Sequence, residues 1–154
     1  MQGNDLADTD YVAIHRLVVE NLWRVDRCPD RVPELWAEDA EIRSEGNLVC
    51  TGRTAIRAIV EKHQPPEYMR HAYLNLRLEA DGPDHVNGTA LEVVFHPGPD
   101  GNEKESSLGL LVGDITHRFV RTREGWQIAF SDFRKRHASN WTSWANLAEY
   151  MERG

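Results

Sequence analysis

The chain has 154 residues, 40% of them hydrophobic and 28% charged, and a formal net charge of −7. That length fits one globular domain able to bury enough surface to stand without a disulfide or a metal. The acidic balance argues against the polyanionic backbone of nucleic acid as a partner, and no apolar run is long enough to cross a membrane. Met1 to Asp10 is polar and acidic, with no basic region leading into an apolar run, so no secretory signal is read there and a cytoplasmic protein is expected. Residues Thr9 to Val25 follow as a helix. Thr9 is placed to cap it, Asp10 favours its positive end, and Ile14, Leu17, Val18, Leu22 and Val25 share one face. Asn21 falls within that stripe and Asp26 at its end, before Pro29 stops the helix. Cys28 and Cys50 stand in no metal or redox spacing and read as free thiols.

Val32 to Trp36 reads as a helical turn with Pro33 near its start. Ala40 to Ser44 alternates as a half-buried strand, and Gly46-Asn47 turns into a short strand through Val49. Thr51 or Gly52 opens a second helix carrying Ile56, Ile59 and Val60, which Pro65-Pro66 ends. Period-two patterning then predicts strands over Met69–Glu79, His85–His96, Ser107–Arg121 and Trp126–Arg136, with turns at Asp81-Gly82-Pro83, Pro97–Glu105 and Arg123-Glu124-Gly125. Trp141, Trp144, Leu147, Ala148 and Met151 have helical spacing and read as a packing surface of the tail. His71 and the row Leu74, Leu76, Leu78 have opposite parity, so a β-bulge between Tyr73 and Asn75 is required if all of them face inward.

Helices and a short hairpin followed by four long strands describe an α+β domain, a curved sheet with helices across its concave face. No repeat, low-complexity segment or second domain interrupts residues 1–154; the core spans about 10–136 and the helical tail 137–154. Glycine-rich phosphate loops, nucleophile elbows and paired-histidine zinc motifs are absent, so no cofactor or metal is expected. Asn87-Gly88-Thr89 and Asn140-Trp141-Thr142 match the glycosylation pattern by chance in a protein that is not secreted.

The run Ile14-His15-Arg16-Leu17, Asp26, then Leu35-Trp36-Ala37-Glu38-Asp39-Ala40 resembles the SnoaL-like group of the nuclear transport factor 2 superfamily. Gly52-Arg53-Thr54-Ala55-Ile56, Arg70-His71 with Asn75-Leu76, and Arg121 with Gly125-Trp126 continue the resemblance over residues 10 to 136. It implies a cone-shaped α+β barrel around one apolar pocket. Within the superfamily, Asn75-Leu76-Arg77-Leu78-Glu79, Asp84-His85-Val86-Asn87-Gly88 and the placement of Asp26 and His71 look like the hexachlorocyclohexane dehydrochlorinase and scytalone dehydratase type of lyase. The resemblance makes Asp26 and His71 the catalytic pair and puts Asn21, Leu22, Trp36, Ile42, Met69 and Val112 at the substrate. Those lyases carry Tyr or Lys where this chain has Asn21, which leaves the reaction itself open. Homodimers or homotrimers through the outer sheet face are also implied.

An imidazole oriented by a carboxylate can take a proton from carbon and return it, which serves a cofactor-independent lyase or isomerase acting on a small, apolar, cyclic molecule. The alternative is a non-catalytic ligand-binding protein or a structural partner like the small subunit of ring-hydroxylating dioxygenases, since one fold hosts both. Each residue also has a plainer reading: His71 as a satisfied structural side chain, Asp26 as a helix-ending residue, Asn21 as a buried amide bonded to backbone. His117, near Arg118 and Arg121, reads as a solvated hairpin edge rather than a pocket residue. His15, His63, His85, His96 and His137 show no metal-ligand spacing.

Overall fold

The computed structural model describes residues 6–62, 69–97 and 108–139. Helix α1 spans Asp8–Arg27, a 3-10 helix Pro29–Leu35, and helix α2 Arg53–Lys62. The strands are β1 (Trp36–Ser44), β2 (Asn47–Thr51), β3 (Arg70–Ala80), β4 (His85–Pro97), β5 (Leu108–Thr122) and β6 (Gly125–Ser139). They form one curved, unclosed sheet in the order β2-β1-β6-β5-β4-β3. Neighbours are antiparallel except β1 and β6, which run parallel. The α+β expectation holds, and the elements fall within a few residues of their sequence-based limits. Of the expected helical tail, residues 137–139 instead extend β6 by pairing with β5, and the remainder, like Pro65-Pro66, lies outside the described residues.

Local chemistry explains the small differences. Helix α1 begins one residue early, with Ala7 at its N-cap and no side-chain cap, so Thr9 sits inside the first turn instead of capping it. Asp8 and Asp10 still supply the negative charge that the helix N-terminus favours. The first hairpin turns on Glu45 and Gly46, at φ 54° and 78°, not on Gly46-Asn47. Two successive positive φ values match the strand twist, and Asn47 is left to pair with Ser44.

Strand β3 is irregular, one to two residues beyond the expected point. Its pairing with β4 passes from Leu74↔Leu91 to Arg77↔Thr89, which places an extra residue on β3. Asn75, at φ 56°, occupies that bulge, and its short amide tolerates the left-handed region. The bulge inverts the parity, so His71 and Tyr73 face inward before it and Leu76 and Leu78 after it, while Leu74 points outward at 48% exposure.

Ile14, Leu17 and Val18 of α1, with Val32, Ile56 and Trp36, pack against Val86, Phe119 and Ile128 of the sheet in the main core. The N-terminal end of α1 is clamped to the β5–β6 hairpin. Asp10 accepts from Arg121 at 2.7 Å and from the Trp126 indole at 3.1 Å. Its other end is anchored by buried Arg24, which donates to Glu20, Glu34 and the Arg31 carbonyl. Both anchors fix the register of α1 over β3, and hence the position of Asp26.

Candidate functional site

Beyond the main core the curved sheet and the end of α1 leave a cavity of about 220 Å³. Its wall is mostly apolar: Val25 from α1, Trp36 and Ile42 from β1, Met69 before β3, Val94 on β4, Leu111 and Ile115 on β5, and Phe133 on β6. His71, Tyr73, Glu92, Arg43, Ser44 and Ser131 supply its polar groups. A mostly apolar pocket with a few convergent polar groups is the form that small-molecule sites take.

Asp26 and His71 meet at this cavity. Asp26 lies in the last turn of α1 with its side chain only 4% exposed, behind His71. Its Oδ1 is 2.6 Å from His71 Nδ1, and its Oδ2 accepts the His71 backbone N–H at 3.1 Å. Both carboxylate oxygens thus hold the same residue, fixing its backbone and its ring together. A carboxylate at Nδ1 keeps a proton there, so that in the neutral imidazole Nε2 is the lone-pair nitrogen.

The cavity takes in some of the residues that the sequence pointed to and leaves out others. Trp36, Ile42 and Met69 line the cavity. Asn21, Leu22 and Val112 do not. Asn21 is buried and its Oδ1 accepts the Trp36 indole N–H at 3.0 Å, so it orients a pocket residue instead of a substrate, and its partner is a side chain rather than backbone. Leu22 is half-buried beside the α1 stripe, outside the core cluster. Val112 has the opposite parity to Leu111 and Ile115 and points to the other side of the sheet. His117 is a second correction: it is 1% exposed, not on a solvated edge. It shares the inward parity of Ile115 and Phe119, and its ring packs 5.5 Å from those of Tyr73 and Phe119.

Three functional candidates thus lie outside the expected set. Glu92 is the register partner of Tyr73, one step diagonally from His71, whose own partner is Val94. Burial pushes its carboxyl above the ordinary range; His71 opposes that shift and the Asp26 charge adds to it. Tyr73 is likewise held well above the usual phenol value by burial and by Glu92. Burial lowers His117 to about 4, partly offset by its bond to the Phe130 carbonyl. Among the described residues no three His, Cys, Asp or Glu side chains are arranged to hold a metal ion, and no helix is long and apolar enough to cross a membrane.

Solved structures share this architecture. A scytalone dehydratase-like protein of Novosphingobium aromaticivorans superposes with a TM-score of 0.74 at 19% identity, over 87% of this chain and 89% of that one. The hexachlorocyclohexane dehydrochlorinase LinA-type3 of Novosphingobium barchaimii gives 0.71 at 25% identity, over 89% and 96%. A protein of unknown function from Mycobacterium tuberculosis gives 0.71 at 20% identity, over 94% and 85%. No curated protein matches the chain significantly. The SnoaL-like domain model matches residues 8–132, the stretch that carries α1, most of the sheet and the Asp26–His71 contact, and the chain belongs to that family.

Proposed function

We propose that this protein is a cofactor-independent lyase that removes a proton and a neighbouring leaving group from a small, largely apolar, cyclic molecule. The observation that carries the reading is the doubly bonded Asp26–His71 pair at the wall of an apolar cavity. His71 Nε2 takes the proton from carbon, and Asp26 stabilises the imidazolium that results. The electrons of the broken C–H bond form the double bond, and the bond to the leaving group breaks. Glu92, whose carboxyl burial pushes above its ordinary value, lines the same cavity and is the group placed to give a proton to the departing atom. The low dielectric of the cavity strengthens each of these interactions. After the product leaves, transfer of the proton from His71 to Glu92 through solvent restores both groups.

Isomerisation uses the same base and differs only in returning the proton to another carbon. Glu92 favours elimination, because it supplies an acid separate from the base. Neighbours of the same fold include a scytalone dehydratase-like protein and a hexachlorocyclohexane dehydrochlorinase, which supports the reaction class without naming a substrate.

The test is to incubate the protein with a panel of cyclic β-hydroxy ketones and β-chloro ketones and follow loss of water or hydrogen chloride by mass spectrometry. Turnover by the wild type that His71→Ala lowers by roughly 10²–10⁴-fold supports the reading. Equal turnover by His71→Ala with the fold intact overturns it.

A further inference from the structure

Tyr73 and His117 have no role in the proton transfer proposed above, yet the structure positions them closely. Tyr73 lines the cavity on the same face of β3 as His71, and its register partner across the ladder is Glu92. Behind it, His117 Nε2 lies 3.1 Å from the Tyr73 hydroxyl, and Nδ1 lies 3.4 Å from the Phe130 carbonyl oxygen. A carbonyl oxygen only accepts hydrogen bonds. The Nδ1 contact is therefore a hydrogen bond only in the tautomer that carries its proton on Nδ1. In that tautomer Nε2 is the lone-pair nitrogen and must accept, and the proton it accepts is the phenol's. Burial keeps both partners neutral, with the imidazole at about 4 and the phenol well above its ordinary value. The single Tyr73 proton is thus committed to His117, and the hydroxyl offers the cavity lone pairs alone.

We propose that Tyr73, oriented by His117, is a hydrogen-bond acceptor that selects ligands bearing a hydroxyl, so that the leaving group of the proposed elimination is water rather than halide. The reaction half of this statement rests on the lyase reading; the hydroxyl preference is a property of binding and stands apart from it. A ligand hydroxyl can donate to the Tyr73 oxygen, beside the Glu92 side chain on the neighbouring strand. A halide has no proton to donate and would leave the Tyr73 oxygen unpaired in a mostly apolar wall. Sites built to pair with a hydroxyl discriminate against analogues lacking one far more than apolar pockets discriminate between sizes.

The experiment compares β-naphthol with β-methylnaphthalene, which replaces the hydroxyl by a methyl group of similar size. Affinities are measured by fluorescence titration for the wild type, Tyr73→Phe and His71→Ala. Tyr73→Phe is expected to weaken naphthol about tenfold, the worth of one such bond, while leaving methylnaphthalene unchanged, which also shows that the variant folds. His71→Ala is expected to keep the naphthol preference. Nitrogen-15 chemical shifts of His117 are expected to show a protonated Nδ1 and an unprotonated Nε2. A preference for naphthol that survives Tyr73→Phe, or an Nε2-protonated His117, overturns the assignment. Absence of saturable binding of either compound overturns both this assignment and the pocket on which it rests. If the preference and tautomer hold but no hydroxylated compound is turned over, the lyase reading falls and the acceptor assignment stands.

Discussion

Asp26 holds His71 by two bonds, one to the ring and one to the backbone. Asp26→Asn retains the shape but presents an amide, whose nitrogen can donate to Nδ1 and favour the wrong tautomer. It is expected to lower turnover about as severely as His71→Ala, by roughly 10²–10⁴-fold, without loss of the folded circular-dichroism spectrum. Undiminished turnover in the Asn variant would remove the carboxylate from the mechanism. His117 gives a pH dependence of a different kind. Its folded value of about 4 lies below the ordinary 6.5, so the unfolded chain binds the proton first as pH falls. Stability is therefore full above the unfolded value and is lost as pH falls toward the folded one, by roughly 2–3 kcal/mol between about pH 7 and pH 4. The Asp10 carboxyl, lowered chiefly by its bond to Arg121, loses its stabilising contribution in the same direction at lower pH. Denaturant titrations of wild type and His117→Gln across this range should show a shallower pH dependence in the variant; equal slopes would contradict the buried neutral imidazole. Of these residues, Asp26 and His71 were legible through resemblance alone, since nothing in a lone histidine near a strand start marks it as a base. Tyr73 and Glu92 had a weaker signal that parity carries: Tyr73 shares the face of His71, and Glu92 is the one charged residue in the row Val86, Gly88, Ala90, Glu92, Val94. His117 was misread because its neighbours Arg118 and Arg121 drew the strand edge toward solvent, although its own parity with Ile115 and Phe119 pointed inward.

The strands and helices were legible because each apolar period is long and bounded by Gly, Pro or Asp. The irregularities that shape the sheet were less so. A bulge in β3 followed from the parity conflict between His71 and the leucines, but its position did not, because Leu74 can face either side until the neighbouring strand is known. Gly113 illustrates the same limit. On paper it is a glycine in a strand; in the fold, β5 and β6 shift register beside it, and a Cβ there would overlap the Phe133 ring and stand 2.6 Å from the Arg134 carbonyl oxygen. The missing side chain lets Phe133 lie across β5 and form the cavity wall. Gly113→Ala is expected to cost about 1–3 kcal/mol in denaturant unfolding. Pairing it with Phe133→Leu removes the ring that it meets and should return part of that loss, while the carbonyl contact keeps the recovery incomplete. Strictly additive losses in the double variant would show that the ring is not what excludes a side chain from position 113.

At the scale of the whole molecule, the sheet has two faces and the described helices cover only one. On the face opposite the cavity, Leu74 of β3 and Phe95 of β4 are 48% and 37% exposed. Between them the register aligns Ala72 with Val93 and Val93 with Val112, an apolar row across three strands. The row runs inward from the edge strand β3, with Arg70 opposite Phe95 and Asp114 in line with Leu74 and Leu91 at its margins, and a second copy of the same chain offers the same apolar row in return. We propose that this face joins copies of the chain in a homodimer or homotrimer. The cavity opens on the other side of the sheet, so assembly stiffens β3 and β4, which carry His71, Tyr73 and Glu92, without blocking the site. Sedimentation velocity at micromolar concentration should show an oligomer for the wild type. Leu74→Glu combined with Phe95→Glu should shift it to monomer, because burying unpaired carboxylates at the centre of an apolar contact is far more costly than exposing them. The monomer should also unfold at lower temperature, as mass action through the partner is lost. A wild type that sediments as a monomer would contradict the assignment outright. An oligomer that the two glutamates leave intact would place the contact elsewhere on the surface.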